Sequence, residues 1–226
     1  TTLADVCGGN KVYAEMIRKG RQWAPHAGMW VNEGQVIVGE GKRMAPYRKI
    51  IEDLAAMDAK PDGIGFMAHF RESMLPSPQE IYRRIESFAP FGCPMQLTEF
   101  DVECAFDEQL QADYMRDVMT VCFSHPDMEA ILMWGFWEGA HWRPGAALWR
   151  RDWSLKPAGE MWINLVYDRW WTEEKGQTSD DGTFQTRGFL GEYQIRVTRG
   201  EIVVTKECSL QPQGTEVTID MPRAPL

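Results

Sequence analysis

Four short apolar runs separated by amphipathic helical patterns set the tightest limit on how this chain can fold. The strand ends read from them, Asn32, His69, Glu99 and Trp134, lie 37, 30 and 35 residues apart. A barrel of about 250 residues with eight βα units repeats every ~31 residues. The first helix is expected from Asn10, as cap, through Tyr13, Met16 and Ile17. The second carries Tyr47, Ile50, Ile51, Leu54 and Met57 on one face and reaches the next run through Lys60-Pro61-Asp62-Gly63. A third starts at the cap Ser77, with Pro78 in the first turn and Glu80 closing a capping box before Ile81, Ile85 and Phe88. The fourth, capped by Asp107, turns Leu110, Tyr114, Val118 and Val121 inward, and a last helix opens at Pro157 and buries Met161, Trp162, Leu165 and Val166.

Apolar strands alternating with such helices are parallel and covered on both faces. Two architectures fit: an open doubly wound sheet and part of a (β/α)₈ barrel. No glycine-rich phosphate loop follows any run, which counts against the first. Beyond Trp171 the period falls to two, predicting strands over 183–189, 191–197, 202–205 and 215–219 with a turn at Arg199-Gly200. The expected organisation is an α/β domain over 1–172 and a small all-β appendage over 180–226, too short for a core of its own.

A formal charge of -9 with no basic cluster argues against nucleic acid. No run approaches the roughly 20 apolar residues of a membrane span, and Thr1-Thr2-Leu3-Ala4-Asp5 has no targeting pattern. Cys7, Cys93, Cys104, Cys122 and Cys208 are odd in number and scattered, without metal-site spacing, and decide neither compartment nor cofactor; no metal or other cofactor is expected. Ten tryptophans suit a sugar groove, because pyranose C–H faces stack on indoles, although core packing accounts for about half of them.

In a parallel barrel the C-terminal strand ends form one active-site face. Glu99 is the strongest candidate there, since a carboxylate closing an apolar run needs hydrogen-bond partners or a chemical task. His69 either orients it from the adjacent strand or is a satisfied core histidine; Trp134 and Trp142 either floor a sugar subsite or fill the core.

These motifs carry a resemblance to family 10 glycoside hydrolases. Gly63 to Phe70 is similar to that family's sixth-strand motif and Leu97-Thr98-Glu99-Phe100-Asp101 to its nucleophile strand. Trp134-Gly135-Phe136 through His141-Trp142-Arg143-Pro144 is similar to its eighth-strand segment. The resemblance spans residues 9 to about 168. It implies the C-terminal half, strands five to eight, of a TIM barrel, and a retaining endo-β-1,4-xylanase acting on xylan or a related β-1,4-linked polysaccharide. Glu99 would be the nucleophile, His69 would orient it, and Asn32, Glu33, Trp134, Trp142 and Arg143 would bind substrate. Glu33 occupies the fifth-strand Asn-Asp position, not that of the acid/base, which is expected on a fourth strand before residue 1. The chain alone would then be inactive, losing about 10² to 10⁴ in rate without the acid, and would pair with its missing half or with itself. The family also implies an extracellular or periplasmic location. Met67 stands where glutamine is usual, Gly34 where an aromatic is, and Glu138 near an expected aspartate. A β-glucan-acting glycosidase and a carbohydrate-binding module remain the alternatives.

Overall fold

A computed structural model describes residues 2–222. The four apolar runs become four parallel strands: β1 (Trp30–Glu33), β2 (Gly63–Arg71), β3 (Met95–Glu103) and β4 (Met128–Met133), adjacent in sequence order. That order decides between the two architectures. A doubly wound sheet reverses its strand order at a switch point, whereas strands laid down one after another, each crossover passing through a helix, are the arrangement of a barrel wall. The connections are α3 (Met44–Ala56), α4 (Pro78–Glu86) and α5 (Glu108–Ser124), preceded by α1 (Leu3–Cys7) and α2 (Lys11–Trp23) and followed by α6 (Pro157–Asn164).

The core lies between sheet and helices. Ile64, Phe66, Ala68 and Phe70 of β2 and Met95, Leu97, Phe100 and Val102 of β3 are fully or almost fully buried, and Phe66, Tyr47 and Phe88 meet edge to face or tilted. A second cluster joins Ala14 and Ile17 of α2 to Leu54 of α3 and to Ala59, with Ile50, Val31 and Met57 against it. β1 and β4 each have one neighbouring strand and are only half-buried or exposed, in contrast to the covered β2 and β3.

Several local expectations change. β2 and β3 run past His69 and Glu99 to Arg71 and Glu103, while β4 stops at Met133 and the chain bends away at Gly135, φ 90°. Ser77 caps α4 as expected, but Glu80 gives its carboxylate to Arg83 and Arg84 instead of closing a box. Asn10 precedes α2 without capping it, because its amide donates to Asp53. Met16 is exposed, Leu110 and Val121 are half-buried while Gln111, Met115 and Cys122 take the inner face of α5, and Met161, Trp162, Leu165 and Val166 are not fully buried. Helix α1, closed by a capping box between Thr2 and Asp5, was not expected.

The chain forms two compact units, one through Trp162 and one from Ile163. The second contains an antiparallel hairpin of β5 (Gly191–Arg199) and β6 (Ile202–Leu210), turned by Gly200 at φ 61°. Residues 183–189 and 215–219 are not strands, and no described residue of this unit is fully buried. An alternating pattern without a partner edge and a covered face stays irregular. All five cysteines are free.

Candidate active site

Register assembles the site. In a parallel ladder, paired residues share a face, and Asn32 pairs with Gly65, Met67 with Glu99, His69 with Asp101, and Arg71 with Glu103. All eight therefore lie on the face opposite Phe66, Ala68 and Phe100. Glu99 reaches that face through a bulge. Leu97 pairs with Phe66 and Glu99 with the next residue, Met67, so Thr98 is an extra residue in β3. Without it, Glu99 would share the buried face of Met95 and Leu97; with it, Phe100 and Val102 take that face and Glu99 and Asp101 the other. Bulges beside active sites re-aim a side chain in this way.

The Glu99 side chain is 18% exposed, with Oε2 3.0 Å from His69 Nε2 and Oε1 accepting from the Asn32 amide at 3.4 Å. Asn32 in turn accepts from the Thr98 hydroxyl at 2.8 Å. This bridge from β1 to β3 passes over Gly65, where a Cβ would stand 2.7 Å from Asn32 Oδ1 and 2.8 Å from Thr98 Cγ2. Gly65→Ala is accordingly expected to break the Asn32–Thr98 bond and to cost about 1–3 kcal/mol of stability, measured by chemical denaturation. A variant as stable as the parent would show that the bridge yields freely.

Behind His69 lies a carboxylate to which sequence reasoning gave no role. Asp101 is fully buried; its Oδ2 is 3.0 Å from His69 Nδ1 and accepts from Trp142 Nε1 at 2.8 Å. At that separation the Asp101 carboxylate holds the His69 ring by hydrogen bonding and by charge together. Burial draws the His69 pKa down, but Asp101 and then Glu99 outweigh it, and the pKa is raised above the ordinary 6.5. Arg143 stands over the Trp142 ring at 3.9 Å and 3.7 Å from both Asp101 and Glu103; burial holds its pKa below the usual arginine value, against the pull of Asp101.

Trp134 and Trp142 meet the His69 ring edge-on at 6.1 and 4.9 Å, and each leaves about half its surface exposed. The bend that sends Trp142 back needs Gly135, since a Cβ there would lie 2.9 Å from the buried His141 ring. His141 Nδ1 accepts from the Arg143 backbone, and burial lowers its pKa, which favours the neutral ring. Four of the five buried polar atoms without a well-aligned hydrogen-bond partner among the described residues belong to His69, Asp101, His141 and Arg143. Two of them, His69 Nδ1 and Arg143 Nη1, face the Asp101 carboxylate in the ion pairs described above.

The structure thus joins Asn32, His69, Glu99, Trp134, Trp142 and Arg143, and adds Asp101 and Thr98. It leaves out Glu33. Paired with Phe66, Glu33 lies on the opposite face, where Arg43 and the Gly34 N–H hold its carboxylate. Two of the unusual positions meet: the Met67 sulfur sits 3.7 Å from where a Gly34 Cβ would be. Glu138 accepts from the Arg151 backbone. Among the described residues no cluster could hold a metal ion.

The model of glycosyl hydrolase family 10 matches residues 2–164. The anti-sigma-I factor RsgI6 of Acetivibrio thermocellus is 31% identical over 192 residues, 84% of this chain and 24% of its own. Endo-1,4-beta-xylanase 1 of Arabidopsis thaliana is 26% identical over 218 residues, 94% of this chain and 22% of its own. The chain spans about a quarter of the length of these curated relatives. Xylanase 10B from Thermotoga petrophila RKU-1, solved with xylobiose, superposes with a TM-score of 0.64 at 24% identity over 71% of this chain and 53% of that one, a likeness of fold. The sequential parallel sheet is therefore a portion of a TIM barrel, and with the family's own pattern running from residue 2 to 164 the chain belongs to glycosyl hydrolase family 10.

Proposed function

We propose that this chain supplies the nucleophile half of a retaining glycoside hydrolase acting on the β-1,4-xylosidic bonds of xylan. The observation that carries this reading is the Glu99 carboxylate, aimed by the Thr98 bulge onto the polar face and gripped by Asn32 and by His69, whose ring meets two half-exposed tryptophans. One carboxylate oxygen attacks the anomeric carbon and forms a glycosyl ester as the glycosidic C–O bond breaks. A carboxylic acid from polypeptide outside this chain protonates the departing oxygen, then takes a proton from water as that water opens the ester, so configuration is retained overall. His69 and Asn32 fix the attacking group; Trp134 and Trp142 wall the sugar, and Arg143 braces Trp142. Glu33, tied to Arg43 on the other face, supports the wall of the site without touching sugar.

Xylan is the favoured substrate because relatives from plants, fungi and bacteria carry the name endo-1,4-beta-xylanase. In this reading β1 to β4 are the fifth to eighth strands, the half-exposed edge strands β1 and β4 pair with the rest of the barrel, and the chain alone does not turn over. Residues 1–172 form the partial catalytic domain, 180–226 an accessory segment around the β5–β6 hairpin, and the whole works outside the cytoplasm, where polymeric xylan is found. The test is to follow xylo-oligosaccharide hydrolysis by the full-length protein with proton NMR. The β-anomer of the new reducing end should appear first, and an initial α-anomer would overturn the retaining assignment.

A second reading, a sugar-binding module without turnover, draws on the two half-exposed tryptophans, Trp134 and Trp142, whose indole faces can hold a sugar whether or not Glu99 reacts. It predicts xylan binding that survives Glu99→Gln but is lost in Trp142→Ala, in a protein that releases no product. A β-glucan preference, suggested by apolar Met67 on the site face, would appear as faster release from glucan than from xylan.

A further inference from the structure

Among the described residues, no hydrogen bond or ring contact joins the turn around Trp153 to Glu99, His69 or Asp101. Trp153 adopts φ 67°, and the other described non-glycine residues at positive φ, Gln35 and Asp58, are polar. A bulky aromatic in the left-handed region is strained, and such strain persists only where the surroundings impose it. Here they do. The Trp153 N–H donates to Arg150 O and the Arg150 N–H to Ser154 O, both at 2.9 Å, while Asp152 accepts from the Ser154 N–H and hydroxyl. Trp149 bridges to Trp137 on one side and to Leu155 on the other, tying the turn to the segment that follows β4.

The strain does not serve burial, since Trp153 remains 59% exposed. Its ring instead lies flat against Trp137, with centroids 5.1 Å apart and planes 9° from parallel. Trp137 is held from beneath: Gly139 lies so close that a Cβ there would overlap the ring at 2.2 Å, and the indole N–H donates to Arg151 O at 3.3 Å. Two stacked indoles on a glycine floor leave the outer face of Trp153 to solvent. At the rim, the exposed Arg151 side chain forms no ion pair among the described residues, and Glu138 Oε2 is fixed by the Arg151 N–H at 3.0 Å.

We propose that Trp153, stacked on Trp137, is a second carbohydrate contact that holds a β-linked pyranose chain away from the Glu99 site. A flat aromatic face matches the C–H face of a pyranose. Arg151 donates and Glu138 accepts at its edge, as ring hydroxyls require. This rim is too polar for the apolar core of a protein interface. The inference rests on the reading that a xylan-type polymer is the substrate.

The test uses the full-length protein with Glu99→Gln to stop turnover, and compares binding to insoluble xylan with binding to xylobiose. Trp153→Gly removes the ring and accepts φ 67° without strain. It is expected to weaken xylan binding about tenfold, within the range of one stacked aromatic contact, with xylobiose affinity and thermal midpoint unchanged. Trp153→Tyr, which keeps a flat ring, should restore most of the binding. An unchanged xylan isotherm for Trp153→Gly would overturn the proposal. So would a parallel loss of xylan binding, xylobiose binding and thermal stability, which would identify the indole as a structural brace. Turnover of an aryl xyloside by the protein with Glu99 intact reports only on the proposed reaction; its absence would sink that reading, while the isotherms judge Trp153.

Discussion

Glu99→Ala in the full-length protein is expected to lower kcat on xylan by at least about 10⁴-fold, the order lost when a covalent nucleophile is deleted from an enzyme that depends on it. The side chain is held at two oxygens by two different strands, so no neighbour can stand in for it. Asp101 lies on the same face but is fully buried behind His69. The lesion should therefore be chemical, with circular dichroism and thermal midpoint near those of the parent. Removing the carboxylate also opens a space beside the anomeric carbon for a small external nucleophile. With an aryl xyloside, whose leaving group needs no protonation, added azide should restore part of the rate and give a glycosyl azide of inverted configuration. A kcat within tenfold of the parent would place the nucleophile elsewhere.

Much of this site could be read from residue order, and the omissions have identifiable causes. Glu99 and His69 stood out because each ends or interrupts an apolar run. The strands nonetheless continue four and two residues further, because Asp101, Glu103 and Arg71 are polar only on the face that lines the site, while Phe70, Phe100 and Val102 carry the core. The bulge was present in the spacing of apolar residues along β3, at 95, 97, 100 and 102: the step of three marks the extra residue. Alternation also spoke against grouping Asn32 with Glu33 in one cleft, since neighbours on a strand face opposite ways; the family position outweighed that parity, and the structure separates the pair. The bond from Trp142 to Asp101 joins residues 41 apart, and no local pattern reports it. In the hairpin unit, alternation was legible for all four expected strands, but pairing requires a partner edge, and only 191–199 and 202–210 have one.

Asp101→Ala is expected to destabilise the protein by about 3–5 kcal/mol, the usual cost of removing one member of a buried ionic group, since it strands His69 and Arg143 and leaves the Trp142 N–H without an acceptor. Asp101→Asn separates the charge from the hydrogen bond. Its amide oxygen still serves Trp142, so most of the packing loss should be spared, but the carboxylate, which by hydrogen bond and charge does most to raise the His69 pKa, is gone. The sign follows from linkage. A histidine whose folded pKa is raised stabilises the fold fully below its unfolded value near 6.5, and that contribution drains away as pH rises through the folded value. Stability of the parent should therefore fall from about pH 6.5 upward, and in Asp101→Asn this fall should start lower and be smaller. The imidazole resonances of His69, followed by NMR, would show the midpoint move down. A midpoint unmoved by the substitution would mean that Glu99 alone holds the proton on His69, leaving the buried aspartate as an anchor for Trp142 and nothing more.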